Sequence, residues 1–149
     1  EPGRALVARA GWLVARVLHV RDRAGRQVVL DAGMTELIRP ALYGARHPIH
    51  ALTSLGRRVD GVAPGVSPLG KDLSPTRVEG PICESTDALG THDLPPLRRG
   101  DLVAIADAGA YAASLASTYN GRPRPPQILL APDGSLTVGR RRGSLASLG

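Results

Sequence analysis

The chain has 149 residues, enough for one domain with a hydrophobic core but too few for a two-domain enzyme. Its net charge of +6 comes from 18 Arg and one Lys, yet the arginines are scattered and the four aromatic residues do not interleave with them, which argues against a nucleic-acid interface. A single Cys excludes an internal disulfide and a multi-cysteine metal site, and no run of about 18 apolar residues occurs, so we expect a soluble, cytoplasmic protein without a membrane span.

The first part of the chain alternates short helical and strand signals separated by Gly and Pro. An Ala-rich segment predicts a helical turn that ends at Gly11, and Val-rich segments on either side of Gly25 predict an antiparallel hairpin. Met34 begins a second predicted turn that we expect to end before Pro40, since Pro disfavours helix at the preceding residue. The predicted elements are helical turns at 5–10 and 34–37 and strands at 12–20, 27–31 and 49–54.

The second part of the chain begins with a Gly- and Pro-rich segment, 57–75, that predicts an exposed loop. Further on, Pro132-Asp133-Gly134 is a strong hairpin signal because Gly readily adopts a positive φ. Strands are predicted at 77–82, 101–106, 127–131 and 135–138, a helix at 110–119, and a flexible basic tail at 139–149. These elements predict a mainly β domain over residues 1–138, an antiparallel, Greek-key-like β-barrel or sandwich with short helical segments.

Charged and reactive side chains concentrate in four clusters of irregular, Gly- and Pro-containing sequence. The clusters are Glu1-Pro2-Gly3-Arg4, Asp31-Ala32-Gly33-Met34 with Arg39-Pro40-Ala41-Leu42-Tyr43-Gly44, Gly80-Pro81-Ile82-Cys83-Glu84-Ser85-Thr86-Asp87, and Asp107-Ala108-Gly109-Ala110-Tyr111. With a fifth string, Ser117-Thr118-Tyr119-Asn120-Gly121-Arg122-Pro123, they resemble in this order the C-terminal half of the fold-type III pyridoxal-phosphate decarboxylases. That family acts on diaminopimelate, ornithine and arginine, and the resemblance runs from Glu1 to about Leu130.

The resemblance implies pyridoxal phosphate as the cofactor and assigns part of its binding site to the first cluster. Decarboxylation of an amino acid leaves a carbanion, which the cofactor ring absorbs when its nitrogen stays protonated. In the family a Glu beside that nitrogen has this role, so Glu1 is the candidate, with a solvated Glu as the alternative. Gly3 and Arg4 are implied to contact the cofactor. The planar guanidinium of Arg4 is also implied to bind a substrate carboxylate, and its alternative is an ordinary surface arginine.

Three further residues are implied to bind the substrate or the cofactor. Arg39 and Tyr43 are four residues apart, so they share a face if the segment is helical, and the family uses the matching pair to hold a substrate carboxylate. The alternative for Tyr43 is half-buried packing. Tyr111 resembles the tyrosine that contacts the cofactor and the substrate, whereas Tyr119 and Asn120 are interpreted as structural.

Cys83 followed by Glu84 is the most informative dipeptide. A thiol with an ordinary pKa of about 8.5 can return a proton to the substrate carbon, so Cys83 is the candidate general acid. Outside such a motif, an unpaired Cys is usually a small buried hydrophobe. The resemblance implies that Glu84 pairs with the distal ammonium of the substrate, and a Glu here favours diaminopimelate over ornithine. Both family residues reach into the neighbouring subunit's site, which implies a homodimer with shared sites.

Several features depart from the family or lie outside this chain. The family's N-terminal barrel carries the lysine that bonds to pyridoxal phosphate, whereas Lys71 lies in no matching motif. His47 and His50 lack a third ligand for a metal ion and are interpreted as solvated loop histidines. Thr86 stands where the family commonly has Gly, and a β-branched residue resists a positive φ, so the resemblance does not settle the local backbone. The chain begins with Glu1 rather than Met, and we interpret it as a piece of a longer enzyme, inactive alone.

The function predicted for the completed enzyme is decarboxylation of meso-diaminopimelate to lysine and carbon dioxide. One alternative is a decarboxylase for another diamino acid or for a carrier-bound amino acid. The other is a non-catalytic remnant that only dimerises or binds a partner.

Overall fold

The computed structural model describes residues 2–59 and 72–148, and this part of the chain contains eight short strands and three short helices. The strands are β1 (Leu13–Arg21), β2 (Arg26–Leu30), β3 (Ile49–Leu52), β4 (Ser74–Glu79), β5 (Ala88–Leu94), β6 (Leu102–Ile105), β7 (Gln127–Leu130) and β8 (Leu136–Arg140). The helices are α1 (Pro2–Val7), α2 (Arg39–Tyr43) and α3 (Ala112–Leu115). Single 3-10 turns span Ala8–Ala10, Tyr119–Gly121 and Leu145–Leu148.

Six of the strands form one curled sheet, a half-barrel with the order β3-β6-β1-β2-β4-β5. The predicted β1–β2 hairpin is present and antiparallel, and the mainly β fold is confirmed. The sheet is mixed rather than wholly antiparallel, because β2 and β4 pair in parallel, from Arg26 opposite Thr76 to Val29 opposite Glu79. A parallel pair needs a long crossover connection, and α2 and β3 lie within the segment that connects these two strands.

The core packs on one face of this sheet and is built mainly from aliphatic side chains, as a chain without Phe requires. Burial alternates along the central strands, so every second residue faces the core. The most deeply buried side chains of these strands are Val17, Val28, Leu30, Val78, Val103 and Ile105. Such branched side chains pack well on a pleated surface, which explains why these segments form strands.

The sequence-based prediction misses one strand and overextends one helix. The sequence does not predict β5, because Gly90 and Asp93 lower its strand propensity; its pairing with β4 and its buried Leu89 and Leu94 override that preference. Of the helix predicted at 110–119, only α3 (Ala112–Leu115) forms an α-helix. The helical turn predicted at 34–37 is present, since Leu37 N donates to Gly33 O at 2.9 Å, and Pro40 then lies in the first turn of a further helix, α2, where the missing N–H is unneeded.

The hairpin β7–β8 forms a separate two-stranded sheet. The predicted turn is confirmed, with Gly134 at φ +83° and its N–H bonded to Ala131 O. Strand β8 extends to Arg140, two residues into the predicted tail.

Candidate functional site

The N-terminal helix is held against the loop of residues 107–111 by a close approach of two glycines. Gly109 N donates to Ala8 O at 2.9 Å, and Ala108 N donates to Gly11 O at 2.9 Å. A Cβ atom on Gly109 would lie 1.9 Å from Val7 O, so only glycine fits there. This contact positions Arg4, on α1, beside the loop that contains Tyr111.

The same loop holds two non-glycine residues in the left-handed backbone region. Asp107 has φ 58° and Tyr111 has φ 67°. Such conformations cost about 1–3 kcal/mol each, and they concentrate at ligand-binding and active sites. Here the strained loop brings the Tyr111 ring under the Arg39 guanidinium, with 5.7 Å from the Arg39 Cζ to the ring centroid. That distance allows a cation–π interaction.

A groove of about 470 Å³, which we call the basic groove, opens between α1, the start of α2 and this loop. Its charged and titratable lining residues are Arg4, Arg9, Arg39, Arg46, His47 and Asp107. Four arginines and one aspartate line the groove, so the groove favours anionic ligands. Guanidinium groups bind carboxylate and phosphate oxygens through paired N–H donors.

Arg39 is fixed at the first residue of α2 by the fold and by His47. The helix is a single turn that ends at Gly44, whose φ of 60° closes it. Nη1 of Arg39 lies 3.4 Å from His47 Nε2, and His47 Nδ1 lies 3.0 Å from Ala106 O. Tyr43 lies one turn after Arg39 on α2, as the spacing predicts, and its side chain is 67% exposed. An exposed Tyr43 does not fit the alternative of half-buried packing.

Cys83 and Glu84 lie in a second region, the turn formed by residues 81–86, which we call the Cys-Glu loop. The Cys83 thiol is exposed, which is unlike a buried structural cysteine. Glu84 is exposed as well, and its Oε1 accepts a hydrogen bond of 2.5 Å from the Tyr119 hydroxyl. This bond to a carboxylate raises the pKa of the Tyr119 phenol above its ordinary value, because ionisation would break the bond and oppose two negative charges.

A buried carboxylate, Asp87, fixes the base of the Cys-Glu loop. Its Oδ1 accepts from Met34 N at 2.6 Å and its Oδ2 from Ile82 N at 2.7 Å. A Cβ on either Gly33 or Gly80 would lie 2.1 Å from the Asp87 carboxylate, so both positions require glycine. The motif residues around Asp87 therefore build the framework that carries Cys83 and Glu84.

The backbone of the Cys-Glu loop does not need glycine at position 86. Thr86 is absent from the non-glycine residues with positive φ, which in the described ranges 2–59 and 72–148 are Asp107, Tyr111 and Asn120. The replacement of the family's Gly by Thr86 therefore introduces no backbone strain at this position.

The predicted site residues thus fall into two groups. Arg4 and Arg39 line the basic groove, with Tyr111 beneath Arg39 and Tyr43 at the end of α2; Gly3 lies exposed on α1. Cys83 and Glu84 occupy the Cys-Glu loop. Glu1 and Lys71 lie outside the described residues.

Four residues of these two regions escaped the sequence-based prediction. Tyr119, interpreted as structural, donates directly to Glu84, and Arg9, Arg46 and His47 join Arg4 and Arg39 in the groove. The interpretation of His47 as a solvated loop histidine is wrong, because its exposed fraction is 2%. Residues 2–59 and 72–148 contain no group of three His, Cys, Asp or Glu side chains suited to a metal ion. None of the helices described is long and apolar enough to cross a bilayer.

Comparison with known proteins gives a consistent result. Residues 6–109 match the family described as "Pyridoxal-dependent decarboxylase, C-terminal sheet domain". The diaminopimelate decarboxylase of Helicobacter pylori J99 is 39% identical over 99% of this chain and 34% of its own length, and that of Deinococcus radiodurans is 47% identical over 87% and 30%. A crystal structure of the Helicobacter pylori enzyme complexed with L-lysine superposes with a TM-score of 0.80 and 37% identity, over 97% of this chain and 32% of that chain. The chain spans about a third of the length of the curated relatives it matches.

Proposed function

Because this chain belongs to the pyridoxal-dependent decarboxylases, as their C-terminal sheet domain, we propose that it forms the C-terminal third of a diaminopimelate decarboxylase. The complete enzyme converts meso-diaminopimelate to L-lysine and carbon dioxide in the cytoplasm, as a step of lysine biosynthesis. The observation that carries this proposal is the basic groove, where Arg4 and Arg39 converge on one side of the sheet with Tyr111 beneath Arg39.

The residues of the basic groove fit pyridoxal phosphate, a ligand with an anionic phosphate and an aromatic ring. When bound, the cofactor supplies an electron sink for the carbanion left by loss of carbon dioxide. Gly3, Arg4 and Tyr111 hold it from this chain, with Glu1 assigned to the ring nitrogen. Four guanidinium groups against one carboxylate provide the charge that the phosphate and the substrate carboxylates require.

Arg39 and Tyr43 bind a substrate carboxylate from one face of α2. The guanidinium of Arg39 is held edge-on by His47 and face-on by the Tyr111 ring, so it meets the carboxylate in a fixed orientation. Tyr43, one turn later and exposed, adds its hydroxyl as a donor to the same group. Arg4 reaches the boundary between the cofactor phosphate and the substrate.

Cys83 and Glu84 complete the site of a neighbouring subunit in a homodimer. Both side chains are exposed on a loop whose base is fixed by Asp87, so they project outward on a rigid support. The Cys83 thiol delivers a proton to the substrate Cα after carbon dioxide leaves. Glu84 uses one oxygen for Tyr119, and its carboxylate pairs with the distal ammonium of the substrate.

A substrate panel tests this proposal on the full-length enzyme. We expect carbon dioxide and L-lysine from meso-diaminopimelate, with little or no turnover of ornithine, arginine or lysine. The segment alone, which lacks the barrel with its cofactor-bonding lysine, is expected to be inactive. Turnover of ornithine without turnover of diaminopimelate would overturn the assignment.

A further inference from the structure

His47 is the titratable side chain in the basic groove that is most deeply buried. Its exposed fraction is 2%, whereas the arginines that line the groove are exposed or half-buried. It follows α2 by four residues and precedes β3, so the fold holds it behind Arg39 and away from bulk solvent. A polar ring in this position needs hydrogen-bond partners, and it has one on each nitrogen.

The two partners determine which ring nitrogen carries the proton. The carbonyl of Ala106 can only accept, so His47 Nδ1, at 3.0 Å, must be the protonated donor. The Arg39 guanidinium can only donate, so His47 Nε2, at 3.4 Å, must offer a lone pair. The geometry therefore requires the neutral Nδ1–H tautomer, since an imidazolium would direct an N–H at a guanidinium.

We propose that His47 is a positioning residue for Arg39: its Nδ1–H bond to Ala106 orients the imidazole so that Nε2 holds the guanidinium over the Tyr111 ring, ready for a carboxylate. This inference rests on the proposed function and extends it to His47, to which that proposal gives no role of its own in binding substrate or cofactor. The bond to His47 uses Nη1 of Arg39, and the proposal assigns other N–H donors of the guanidinium to the carboxylate. A fixed guanidinium loses less freedom when a carboxylate binds, so His47 acts on substrate affinity.

Two substitutions separate the two bonds of His47. Asn places an amide N–H near the position of Nδ1, so His47→Asn keeps the donor to Ala106 and removes the acceptor for Arg39. Gln is longer and places its carbonyl oxygen near the position of Nε2, so His47→Gln keeps the acceptor. His50→Asn is the matched control, because His50 packs against the Trp12 ring, outside the basic groove.

Steady-state kinetics of the full-length enzyme measure the effect. His47→Asn is expected to raise KM for meso-diaminopimelate about tenfold, the loss of roughly one hydrogen bond to a charged group, with kcat changed less than about threefold. His47→Gln is expected to restore KM to within about threefold of the parent. A purely structural His47 would instead lower kcat for both variants in step with the folded fraction. That result, or an unchanged KM in His47→Asn, overturns the inference.

Nitrogen NMR of the histidine rings gives a second readout that needs no activity. The spectrum is recorded on the full-length protein, and the His47 signals are assigned by their loss in His47→Asn. From the two contacts of His47 we expect the Nδ1–H tautomer, together with an Arg39 Nε–H signal that moves in His47→Asn and returns in His47→Gln. The other tautomer, or an imidazolium, contradicts the inference even if the enzyme is active. If the parent lacks decarboxylase activity but shows this tautomer, the proposed function fails and the positioning of Arg39 stands.

Discussion

The basic groove and the Cys-Glu loop differ in how they present their charged and reactive side chains. In the groove, cations that would repel each other are assembled by one chain, and Arg39 is held by a buried imidazole and an aromatic ring. In the Cys-Glu loop, the support is buried but Cys83 and Glu84 are exposed. The groove is organised for a ligand by its own neighbours, whereas the loop presents its reactive groups outward.

This difference assigns different roles to the two regions. A preorganised cation binds a carboxylate before chemistry starts, so groove residues act mainly on substrate binding. A thiol on a rigid exposed loop contributes to a proton-transfer step, so its removal acts on kcat. Substitution of groove residues and substitution of Cys83 in the full-length enzyme are therefore expected to fall into two kinetic classes.

The largest expected effect is that of Cys83→Ala. Loss of a general acid lowers kcat by about 10²–10⁴-fold, while KM changes little because the thiol does not bind the ground-state carboxylates. The measurement is steady-state release of carbon dioxide. Since Cys83 is exposed, its substitution should leave the thermal unfolding midpoint unchanged. Parent-level activity of the Cys83→Ala enzyme would contradict a catalytic role for Cys83.

Arg39→Ala is expected to lower kcat/KM by about 10²-fold, mainly through KM. The substitution removes a paired guanidinium contact, in which each hydrogen bond to a charged group contributes about 1.5–3 kcal/mol. Arg39→Lys keeps the charge but loses the planar fork, so it should fall between the parent and the Ala variant. Equal activity of the Lys variant and the parent would show that charge alone matters in the groove.

Asp87→Ala tests the buried support of the Cys-Glu loop. It leaves the N–H groups of Met34 and Ile82 without their acceptor, which is expected to destabilise the fold by about 2 kcal/mol. Urea unfolding measures the loss. Asp93→Ala, an exposed carboxylate on β5, is the matched control and should stay within about 0.5 kcal/mol of the parent. Equal stability of the two variants would contradict the role assigned to Asp87.

The smallest expected effect concerns the bond between Tyr119 and Glu84. Tyr119→Phe frees Glu84 to change rotamer and should raise KM for diaminopimelate by about fivefold, the value of one ordinary hydrogen bond. In the parent, Tyr119 should ionise above its ordinary pKa of about 10, and Glu84→Gln should lower that pKa because the negative charge disappears. Carbon NMR of the phenol ring follows this titration. An unchanged pKa in Glu84→Gln would show that the two side chains are separate in solution.

Much of the fold follows from local patterns. The β1–β2 hairpin, β6, and the β7–β8 turn were predicted because Val- and Leu-rich segments flank recognisable turns. The parallel pair of β2 and β4 and the strand β5 were not, because they depend on contacts between distant segments. Local propensity contains no information on such pairing.

The candidate site shows the same limit. Motifs predicted Arg4, Arg39, Cys83 and Glu84 as functional residues, but not which of them lie together. The contacts of Tyr119 with Glu84 and of His47 with Arg39 join different structural elements, and in the first case 35 residues separate the partners. The sequence identifies the candidate residues, but the contacts between structural elements determine which residue orients which.

Mixing two impaired variants, assayed at a substrate concentration well below the parent KM, is the most direct test of the claim that the groove and the loop are halves of one shared site. Arg39→Ala removes a guanidinium from the basic groove, and Cys83→Ala removes the thiol from the Cys-Glu loop. When the two variants are mixed in equal amounts and their subunits exchange, half of the dimers contain one chain of each variant. Each such mixed dimer has one intact site and one site that lacks both residues. The account predicts recovery of roughly a quarter of the parent activity. Activity that stays at the level of the separate variants would show that both regions serve the same chain, or that no shared site exists.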